Sequence, residues 1–360
     1  MHLGSSKQMR AVRFHEYGER EVLSLDQVPI PEPGPDEVLL RVRACGVNRA
    51  DLLSRIGRIK GRGGLPHTSG TEVAGDIVSV GGNVKDRLPG QRVMVHPTQY
   101  CGECDMCRSG EDNLCTNGQI FGFDTEGGYA EYTVTPARYL VDLPDSLSFV
   151  DAAGLAATAS TSWHMLGRRA GLKAGETVLI VAGGSGIGVY AIQIARHLGA
   201  KVITTAGSPE KREKAAKLGA DKMVDHSVPG WHQQVRIATG GRGVDVVFEH
   251  VGAATWDESL RSITKMGRLV TCGAFTGSRV ELDLWPLFAK QLKLIGSFSY
   301  SQDDLEYVLQ LAGKGILRPV IHARLPLSQA GEAHRMLEER EVFGTIVLIP
   351  DEKGDNYTCS

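Results

Sequence analysis

Four closely spaced cysteines are the residues of this chain best suited to bind a metal. They follow the pattern C-x2-C-x2-C-x7-C and are Cys101, Cys104, Cys107 and Cys115. This spacing lets four thiolates converge on one tetrahedral zinc, and a shell of four sulfurs leaves no position for substrate, so we expect one structural Zn²⁺ per chain. Two disulfides are the alternative, but seven cysteines without a recognisable secretory signal or a dispersed framework favour a reducing cytoplasm.

A glycine-rich loop is the second element suited to chemistry. It lies between an apolar strand predicted at Val178–Val181 and a helix predicted at Val189–Leu198, and it contains Gly183, Gly184, Ser185, Gly186, Ile187 and Gly188. Glycine permits a tight turn, and the start of a helix offers free N–H groups to a pyrophosphate. Because another strand follows at Lys201–Thr205, the pattern predicts a dinucleotide-binding site.

The end of that following strand predicts which dinucleotide binds. An NAD site places an acidic residue about 20 residues beyond the glycine turn, where it accepts a hydrogen bond from the ribose 2′-hydroxyl. This chain instead has Ala206-Gly207-Ser208 there, followed by Lys211 and Arg212. A hydroxyl and two cations suit a 2′-phosphate, so we predict NADPH rather than NADH. The alternative is that the two cations are only exposed charges of a helix.

Length and composition indicate a two-domain protein. A chain of 360 residues exceeds what one hydrophobic core usually serves. The net charge of -2, with no basic stripe, argues against nucleic acid as a partner, and no apolar run is long enough to span a membrane. We interpret Met1–Gln8 as an extension before the first strand and Asp351–Ser360 as a loose polar tail.

Hydrophobic patterning separates the two domains of a predicted α/β fold. Residues 10–150 alternate short apolar runs with Gly and Pro turns, which is typical of a mostly antiparallel β domain. Later strands are continuously apolar and alternate with helices, as in a parallel sheet covered on both faces; they are Lys201–Thr205, Val244–Phe248 and Arg268–Cys272. A helix at Asp303–Leu311 and a strand at Thr345–Ile349, returning to the first domain, complete the prediction.

Three further patterns resemble a known superfamily. They are GVNRAD at Gly46–Asp51, GTEVAG at Gly70–Gly75 and GGYAEY at Gly127–Tyr132. With the cysteine cluster and the glycine loop, they resemble the medium-chain dehydrogenase/reductase superfamily from about Met9 to Pro350. The resemblance implies a GroES-like catalytic domain at 1–157 and 300–360, with the structural zinc in a lobe at about 96–118. It also implies a Rossmann domain with a doubly wound parallel sheet at 158–299.

The resemblance fails at the catalytic metal. Zinc alcohol dehydrogenases of this superfamily hold a second zinc, whose three ligand positions correspond here to Asn48, Thr71 and Ala157. Zinc requires thiolate, imidazole or carboxylate ligands, which these residues do not supply. His67 lies four residues before Thr71, but one histidine without further potential ligands does not make a zinc site. We therefore predict that the catalytic zinc is missing while the structural zinc is retained.

Without that zinc, the site resembles those of quinone and enone reductases. Their pattern G-x-N-x-x-D-x-Y-x-R-x-G matches Gly46–Gly57 except at Leu53, where the family has tyrosine. The resemblance implies hydride transfer from NADPH to a small-molecule substrate with an activated double bond (an enone or quinone) or a reactive carbonyl. A zinc-type alcohol dehydrogenase or aldehyde reductase is one alternative. A crystallin-like protein that binds NADPH without turnover is another, from a different functional class.

The predicted catalytic residues follow from this chemistry. Asn48 is expected to donate its amide N–H to the carbonyl oxygen, or alternatively only to cap a turn. Thr71 lines the same pocket or packs beneath it, and Asp51 and Glu72 are expected to form ion pairs that brace the loop. His96 is the candidate proton donor, with water as the alternative.

Two segments of the second domain complete the predictions. Cys272, Gly273 and Ala274 end a strand where the nicotinamide ring is expected, and we interpret Cys272 as an inert buried thiol. The apolar segment Leu292–Phe298 is predicted to be an edge strand. Such a strand pairs across a two-fold axis in relatives, so we predict a homodimer, with a homotetramer also compatible.

Overall fold

The chain folds into two compact units, seen in a computed structural model that describes residues 7–350. The first unit comprises the described residues up to Ala157, Ser301–Gly313 and the chain from Pro319 onward. The second comprises Thr158–Tyr300 and Lys314–Arg318. The predicted tail lies outside the described residues, as does most of the predicted N-terminal extension. No helix within residues 7–350 is both long enough and apolar enough to cross a membrane.

The strands of the first unit belong to one large sheet and two small ones. In chain order they are β1 (Gln8–Phe14), β2 (Leu23–Pro29), β3 (Glu37–Val47), β4 (Glu72–Val80), β5 (Arg92–Val95), β6 (Thr98–Gln99), β7 (Gln119–Ile120), β8 (Tyr132–Pro136), β9 (Leu140–Asp142), β16 (Ile321–Pro326) and β17 (Thr345–Ile349). The seven-stranded sheet has the order β16-β17-β3-β4-β5-β9, and β8 pairs with β3. β1 pairs with β2, and β6 pairs with β7.

The predicted antiparallel character of this unit is confirmed. Every pair in the seven-stranded sheet is antiparallel except β16 and β17. The predicted return strand is β17, which places Ile346 opposite Val47 of β3. β16, beside it, is absent from the sequence-based prediction, because its residues are mostly only half-buried and carry no continuous apolar run.

The second unit contains a doubly wound parallel sheet, as predicted. Its strands are β10 (Thr177–Ile180), β11 (Lys201–Thr205), β12 (Lys222–Val224), β13 (Val244–Glu249), β14 (Ile263–Thr271) and β15 (Lys293–Gly296). They are arranged in the order β12-β11-β10-β13-β14-β15, all parallel. The strand order reverses next to β10, and in such sheets ligands bind at the carboxyl ends of the strands near this point.

Helices connect and cover these sheets. They are α1 (Arg49–Arg55), α2 (Asp105–Arg108), α3 (Phe149–Ala153), α4 (Ala156–Trp163), α5 (Gly186–His197), α6 (Pro209–Lys217), α7 (Trp231–Ala238), α8 (Ala253–Arg261), α9 (Leu284–Ala289), α10 (Gln302–Gly313) and α11 (Ala330–Glu338). A π-helical segment, His164–Arg169, continues α4. α5 begins three residues before the predicted Val189, because Ser185 caps it and lets Gly186 and Ile187 join its first turn.

Alternation along the strands builds the core of the first unit. Val38, Leu40 and Val42 project to the same face of β3, because successive side chains of a strand point to opposite faces. They belong to one apolar cluster with Leu337 of α11 and Leu348 of β17. The C-terminal part of the chain therefore contributes to the core of the first unit.

A chain of buried polar side chains also ties α1 to α11. Arg55 is a donor only, so its Nη1 donates to Nδ1 of His334, 3.2 Å away. Burial, together with the charge of Arg55, lowers the pKa of His334 to about 3, which keeps its ring neutral. The ring proton must then lie on Nε2, which is 3.3 Å from the hydroxyl of Tyr129. That hydroxyl donates to Asp51 Oδ2 at 3.2 Å. Each residue in this chain therefore donates its hydrogen bond in the direction of Asp51.

The pKa of Asp51 yields a prediction about stability. Burial raises this pKa from 3.8 to about 7, although the backbone N–H of Asn48 and the Tyr129 hydroxyl donate to the carboxylate. The folded state therefore binds this proton more tightly than the unfolded state, and the resulting stabilisation is present below about pH 4 and lost as the pH rises to about 7. Asp51→Asn should remove this dependence, so the variant gains stability relative to wild type between pH 5 and pH 8.

Urea unfolding across that pH range measures the effect. Asp86→Asn, a change at an exposed carboxylate, is the matched control and should leave the pH profile unchanged. Parallel profiles for wild type and Asp51→Asn would show that Asp51 is ionised throughout.

Candidate active site and structural metal centre

The four clustered cysteines have the geometry of a zinc site. Their sulfur atoms all lie within 4.8 Å of one another. The Cys104 and Cys107 sulfurs are 3.5 Å apart, and those of Cys101 and Cys107 are 3.9 Å apart. Four thiolates at about 2.3 Å from one zinc would be separated by roughly 3.8 Å, whereas a disulfide requires about 2.05 Å. The donor set therefore fits tetrahedral zinc and not a pair of disulfides.

Local backbone structure supports this cluster. Cys104 precedes α2, and Cys107 lies within that helix. The backbone N–H of Cys104 donates to the sulfur of Cys101 at 3.3 Å, and that of Cys101 donates to the sulfur of Cys115 at 3.2 Å. N–H donors stabilise negative charge on sulfur, which is the form that binds zinc.

The positions of the missing catalytic ligands meet at one carboxylate. Asn48 lies at the start of α1, and its Nδ2 donates to Glu72 Oε2 at 2.8 Å. The backbone N–H of Ala157, in the first turn of α4, donates to Glu72 Oε1 at 2.6 Å. Thr71, the remaining position, is buried directly before Glu72. The structure thus brings Asn48 and Ala157 to the same carboxylate, a contact that the sequence did not reveal.

The hydrogen bonds of the two carboxylates converge on Asn48. Glu72 accepts from an amide side chain and a backbone N–H, and Asp51 accepts from the backbone N–H of Asn48 (2.8 Å) and from Tyr129. These donors are all uncharged. Asn48 is held twice, through its backbone by Asp51 and through its side chain by Glu72. The position of Asn48 directly before α1 agrees with the turn-capping interpretation, and its side chain in addition donates to Glu72.

Two other potential ligands near this site serve the core. His67 is buried, and its Nε2 lies 2.9 Å from the carbonyl oxygen of Gly122. Cys45 is buried as well, and burial raises the pKa of its thiol well above the usual value. Among residues 7–350, only the four-cysteine cluster brings together ligand atoms from three or more His, Cys, Asp or Glu side chains. The residues around Asn48 do not fit a catalytic zinc.

His96, the candidate proton donor, lies in the core of the first unit. Its side chain is fully buried, and its Nδ1 is 3.0 Å from the carbonyl oxygen of Thr98. The ring also makes an edge contact with Tyr100. Such an environment is typical of a structural histidine.

The glycine loop has the tight geometry that dinucleotide binding requires. A Cβ on Gly183 would come within 2.0 Å of Thr204 Oγ1, and one on Gly188 within 2.5 Å of the Ala182 carbonyl oxygen. Ser185 accepts a hydrogen bond from the N–H of Gly188 (3.0 Å) and so caps α5. The loop thus passes close to β11 and places the start of α5 at the carboxyl end of β10.

His250 is a residue of this region that the sequence analysis missed. It follows β13, and its Nε2 lies 3.0 Å from the carbonyl oxygen of Val181 and 3.2 Å from Ser185 Oγ. Because a carbonyl only accepts, Nε2 carries the proton and donates to the loop. His250 thereby links β13 to the glycine loop. A histidine directly after an apolar strand was the available signal.

After β11, where the cofactor's ribose is expected, Ser208 and Arg212 lie near an acid that was not predicted, Asp225. Ser208 accepts from the backbone N–H of Lys211 at 3.2 Å and caps α6. Arg212 donates to the carbonyl oxygen of Ala206 and pairs with Asp225 at 2.8 Å. Asp225 follows β12 and partly offsets the positive charge that the sequence indicated.

The residues expected beside the nicotinamide directly follow β14, which ends at Thr271, one residue earlier than predicted. Cys272 is half-buried and not fully buried as expected. Desolvation raises the pKa of its thiol to about 12, with the charge of Glu249 adding to the effect, which favours the protonated thiol. A Cβ on Gly273 would come within 2.5 Å of the His250 carbonyl oxygen, so only glycine fits there. Ala274 is exposed.

Cys104→Ser tests the structural metal centre. Losing one of four ligands should lower the melting temperature by at least about 5 °C, because the zinc lobe loses its cross-link. Binding of a reduced pyridine nucleotide, followed by fluorescence titration, should persist, since the glycine loop belongs to the second unit. A strong chelator should lower the melting temperature of the wild type similarly and have little further effect on the variant. An unchanged melting temperature in the variant would contradict a structural role for the metal.

Two family models match the chain. The alcohol dehydrogenase GroES-like domain matches residues 34–145, and the zinc-binding dehydrogenase model matches residues 186–314. The first match covers most of the antiparallel sheet and the cysteine cluster. The second begins at α5, so the two models together account for both predicted domains of the fold.

Whole-chain relatives agree with these matches. An NAD-dependent alcohol dehydrogenase of Saccharolobus solfataricus is 34% identical, covering 95% of this chain and 100% of that protein. A quinone oxidoreductase of Rattus norvegicus is 31% identical, covering 95% and 98%. The crystal structure of an NAD-dependent alcohol dehydrogenase superposes with a TM-score of 0.91 at 41% identity, covering 95% and 100%.

The relatives carry two different activities on one architecture, and a pyridine nucleotide is the cofactor expected of that architecture. The four-cysteine cluster fits the structural zinc of its zinc-containing members. This chain therefore belongs to the medium-chain dehydrogenase/reductase superfamily and is an oxidoreductase of its zinc-binding dehydrogenase type.

Proposed function

We propose that this protein is an NADPH-dependent reductase that acts on an activated double bond, in an enone or quinone, or on a reactive carbonyl, without a catalytic zinc. The observation that carries the proposal is the donor set around Glu72. Its carboxylate is hydrogen-bonded by Asn48 and Ala157, at two of the three positions where zinc-dependent relatives would need metal ligands. An amide, a hydroxyl and a methyl group cannot polarise a carbonyl as a metal does.

The choice of substrate class follows from the missing Lewis acid. An isolated ketone, or an alcohol that must lose its proton, depends on strong stabilisation of charge at one oxygen. In a conjugated acceptor, hydride adds to the β-carbon and the electron pair is spread over the conjugated system onto oxygen. A single well-placed N–H donor can support that charge. The quinone oxidoreductase among the relatives is named for such an acceptor.

NADPH would supply the hydride when bound at the glycine loop. Asn48 is the residue that we assign to the substrate oxygen, because one Nδ2 hydrogen is donated to Glu72 and the amide has a second one to give. The anion formed then takes one proton, which gives NADP⁺ and the saturated carbonyl compound from an enone, the hydroquinone from a quinone or the alcohol from a reactive carbonyl. We assign this proton to water rather than to His96, since His96 is fully buried.

The preference for NADPH is supported by the residues after β11. No acid stands at Ala206–Ser208, and Ser208 and Arg212 lie next to one another at the start of α6. Asp225 neutralises part of the charge of Arg212 and so reduces the attraction for a 2′-phosphate. Because a relative is named NAD-dependent, NADPH and NADH must be compared directly.

Ser208→Asp tests the cofactor assignment. An acid at this position would accept from a ribose 2′-hydroxyl and repel a 2′-phosphate, while still capping α6. The ratio of kcat/KM for NADPH to that for NADH should fall by at least about tenfold, which corresponds to about 1.4 kcal/mol. Ser208→Ala, which removes the cap without adding charge, is the control. A ratio that stays unchanged in Ser208→Asp would show that this residue does not contact the ribose.

The activity itself is tested by following NADPH absorbance with the purified protein and panels of enones, quinones, aldehydes and ketones. We expect sustained oxidation with conjugated acceptors and little with simple ketones or with alcohols plus NADP⁺. Fast alcohol oxidation would favour the alcohol dehydrogenase alternative. NADPH binding without consumption by any acceptor would favour the crystallin-like alternative.

We further propose that the protein forms a homodimer through β15. Among the described strands, β15 pairs only with β14, so its outer edge is open to a strand from a second copy. Nearby in the sequence, α9 exposes Trp285 (71%) and Phe288 (58%), whose rings lie 4.9 Å apart. Exposed apolar side chains of this size are typical of interaction surfaces. A homotetramer built from such dimers is compatible with this proposal.

A further inference from the structure

Glu72 stands out among the buried groups because both of its carboxylate oxygens are engaged at the candidate site. Its exposed fraction is 1%. Oε2 accepts from Asn48 Nδ2 at 2.8 Å, and Oε1 accepts from the backbone N–H of Ala157 at 2.6 Å. The carboxylate therefore connects a side chain at the start of α1 with the first turn of α4.

The chain provides space and charge compensation for this carboxylate. A Cβ on Gly46, which pairs with Glu72 across β3 and β4, would lie 2.5 Å from Glu72 Oε2, so glycine leaves room for it. The N–H of Ala157 belongs to the four N–H groups that have no partner within a helix, and the positive end of the helix favours a negative charge there. The chain thus leaves room for the Glu72 carboxyl group and supplies it with a helix N–H donor.

Both oxygens of Glu72 act as acceptors, and this dictates which way the Asn48 amide points. A carboxylate only accepts hydrogen bonds, so it requires Nδ2 and not Oδ1 on its side. The backbone N–H of Asn48 is fixed separately by Asp51 Oδ2 at 2.8 Å. Because the backbone and the side chain of Asn48 are both held, its second Nδ2 hydrogen points in one direction. The amide cannot flip to present its oxygen in place of its nitrogen.

We infer that Glu72 is a positioning residue, which orients the Asn48 amide towards the substrate oxygen and replaces a metal as the group that joins the two ligand positions. The inference rests on the proposed function for the identity of that oxygen. It goes further in assigning a role to Glu72, which does not itself touch the substrate.

A double-mutant cycle tests this inference. Glu72→Gln leaves one donor facing an NH₂ group, and Asn48→Asp places two carboxylates together, so each change should lower the melting temperature. When both changes are combined, the new amide can donate to the new carboxylate with reversed polarity, so the melting temperature should recover. The side-chain N–H donors at position 48 are nevertheless lost, and kcat should remain down by about 100-fold or more, as for loss of an oxyanion donor. The dissociation constant for NADPH should stay within about twofold of wild type.

A second pair of the same chemistry serves as the matched control. Asn83 Nδ2 donates to Asp36 Oδ1 at 3.0 Å on the exposed surface. The reversed pair, Asn83→Asp with Asp36→Asn, should show little coupling in melting temperature and unchanged kcat. If Asn48→Asp does not fold, Asn48→Ala replaces it in the cycle, and Glu72→Gln should then cost less stability than it does in the wild type.

The possible outcomes separate the inference from the proposed function. Additive melting temperatures would show that Glu72 does not hold Asn48. Recovery of kcat together with the melting temperature would show that the contact is only structural. A wild type that consumes no NADPH with any acceptor would defeat the proposed function, and the melting-temperature cycle would still decide whether Glu72 positions Asn48.

Discussion

The hydrogen bonds to the buried carboxylate of Glu72 are the constraint on which the candidate site depends. They bring the start of α1 and the first turn of α4 together, at two of the positions that the resemblance assigns to catalytic zinc ligands. Removing a metal from such a site leaves ligands without a partner, and burying polar groups without partners is costly. Here the carboxylate satisfies an amide and a helix N–H at once. This arrangement supports the proposal that the site needs no cation.

The surroundings of Asn48 extend this constraint into the core. Asp51 fixes the backbone of Asn48, and the polar chain through Tyr129 and His334 leads from Asp51 to Arg55. Arg55 also reaches Glu338, which is partly exposed, at 2.6 Å. The site is thus connected to α11, in the part of the chain that returns to the first unit. Well-packed supporting residues of this kind hold a reacting group in a productive geometry.

Much of the fold was predictable because its signals are local. The continuous apolar strands predicted the parallel sheet, the glycine loop predicted the start of α5 to within one turn, and Thr345–Ile349 proved to be the returning strand. β16 escaped prediction because only one of its six residues is fully buried. The cysteine spacing directly encodes the cluster, since its members lie within one short segment.

The candidate site was less predictable because it depends on contacts distant in sequence. Asn48 and Glu72 are 24 residues apart, and Glu72 and Ala157 are 85 apart, so no local pattern shows that they meet. The resemblance pointed to the positions, but nothing in the sequence indicated that Glu72 contacts both Asn48 and Ala157. Asp225 and His250 were missed for the same reason, as their partners come from other strands and loops of the sheet.

The most direct test of this account is the zinc content of the purified protein, measured per chain by elemental analysis. The four-cysteine cluster should bind one zinc, and the site around Glu72 should bind none, so the account predicts a value of one. A value of two, with the second zinc lost on replacing Glu72 but kept on replacing Cys104, would contradict it. In that case a metal, and not the carboxylate and amide, would organise the site.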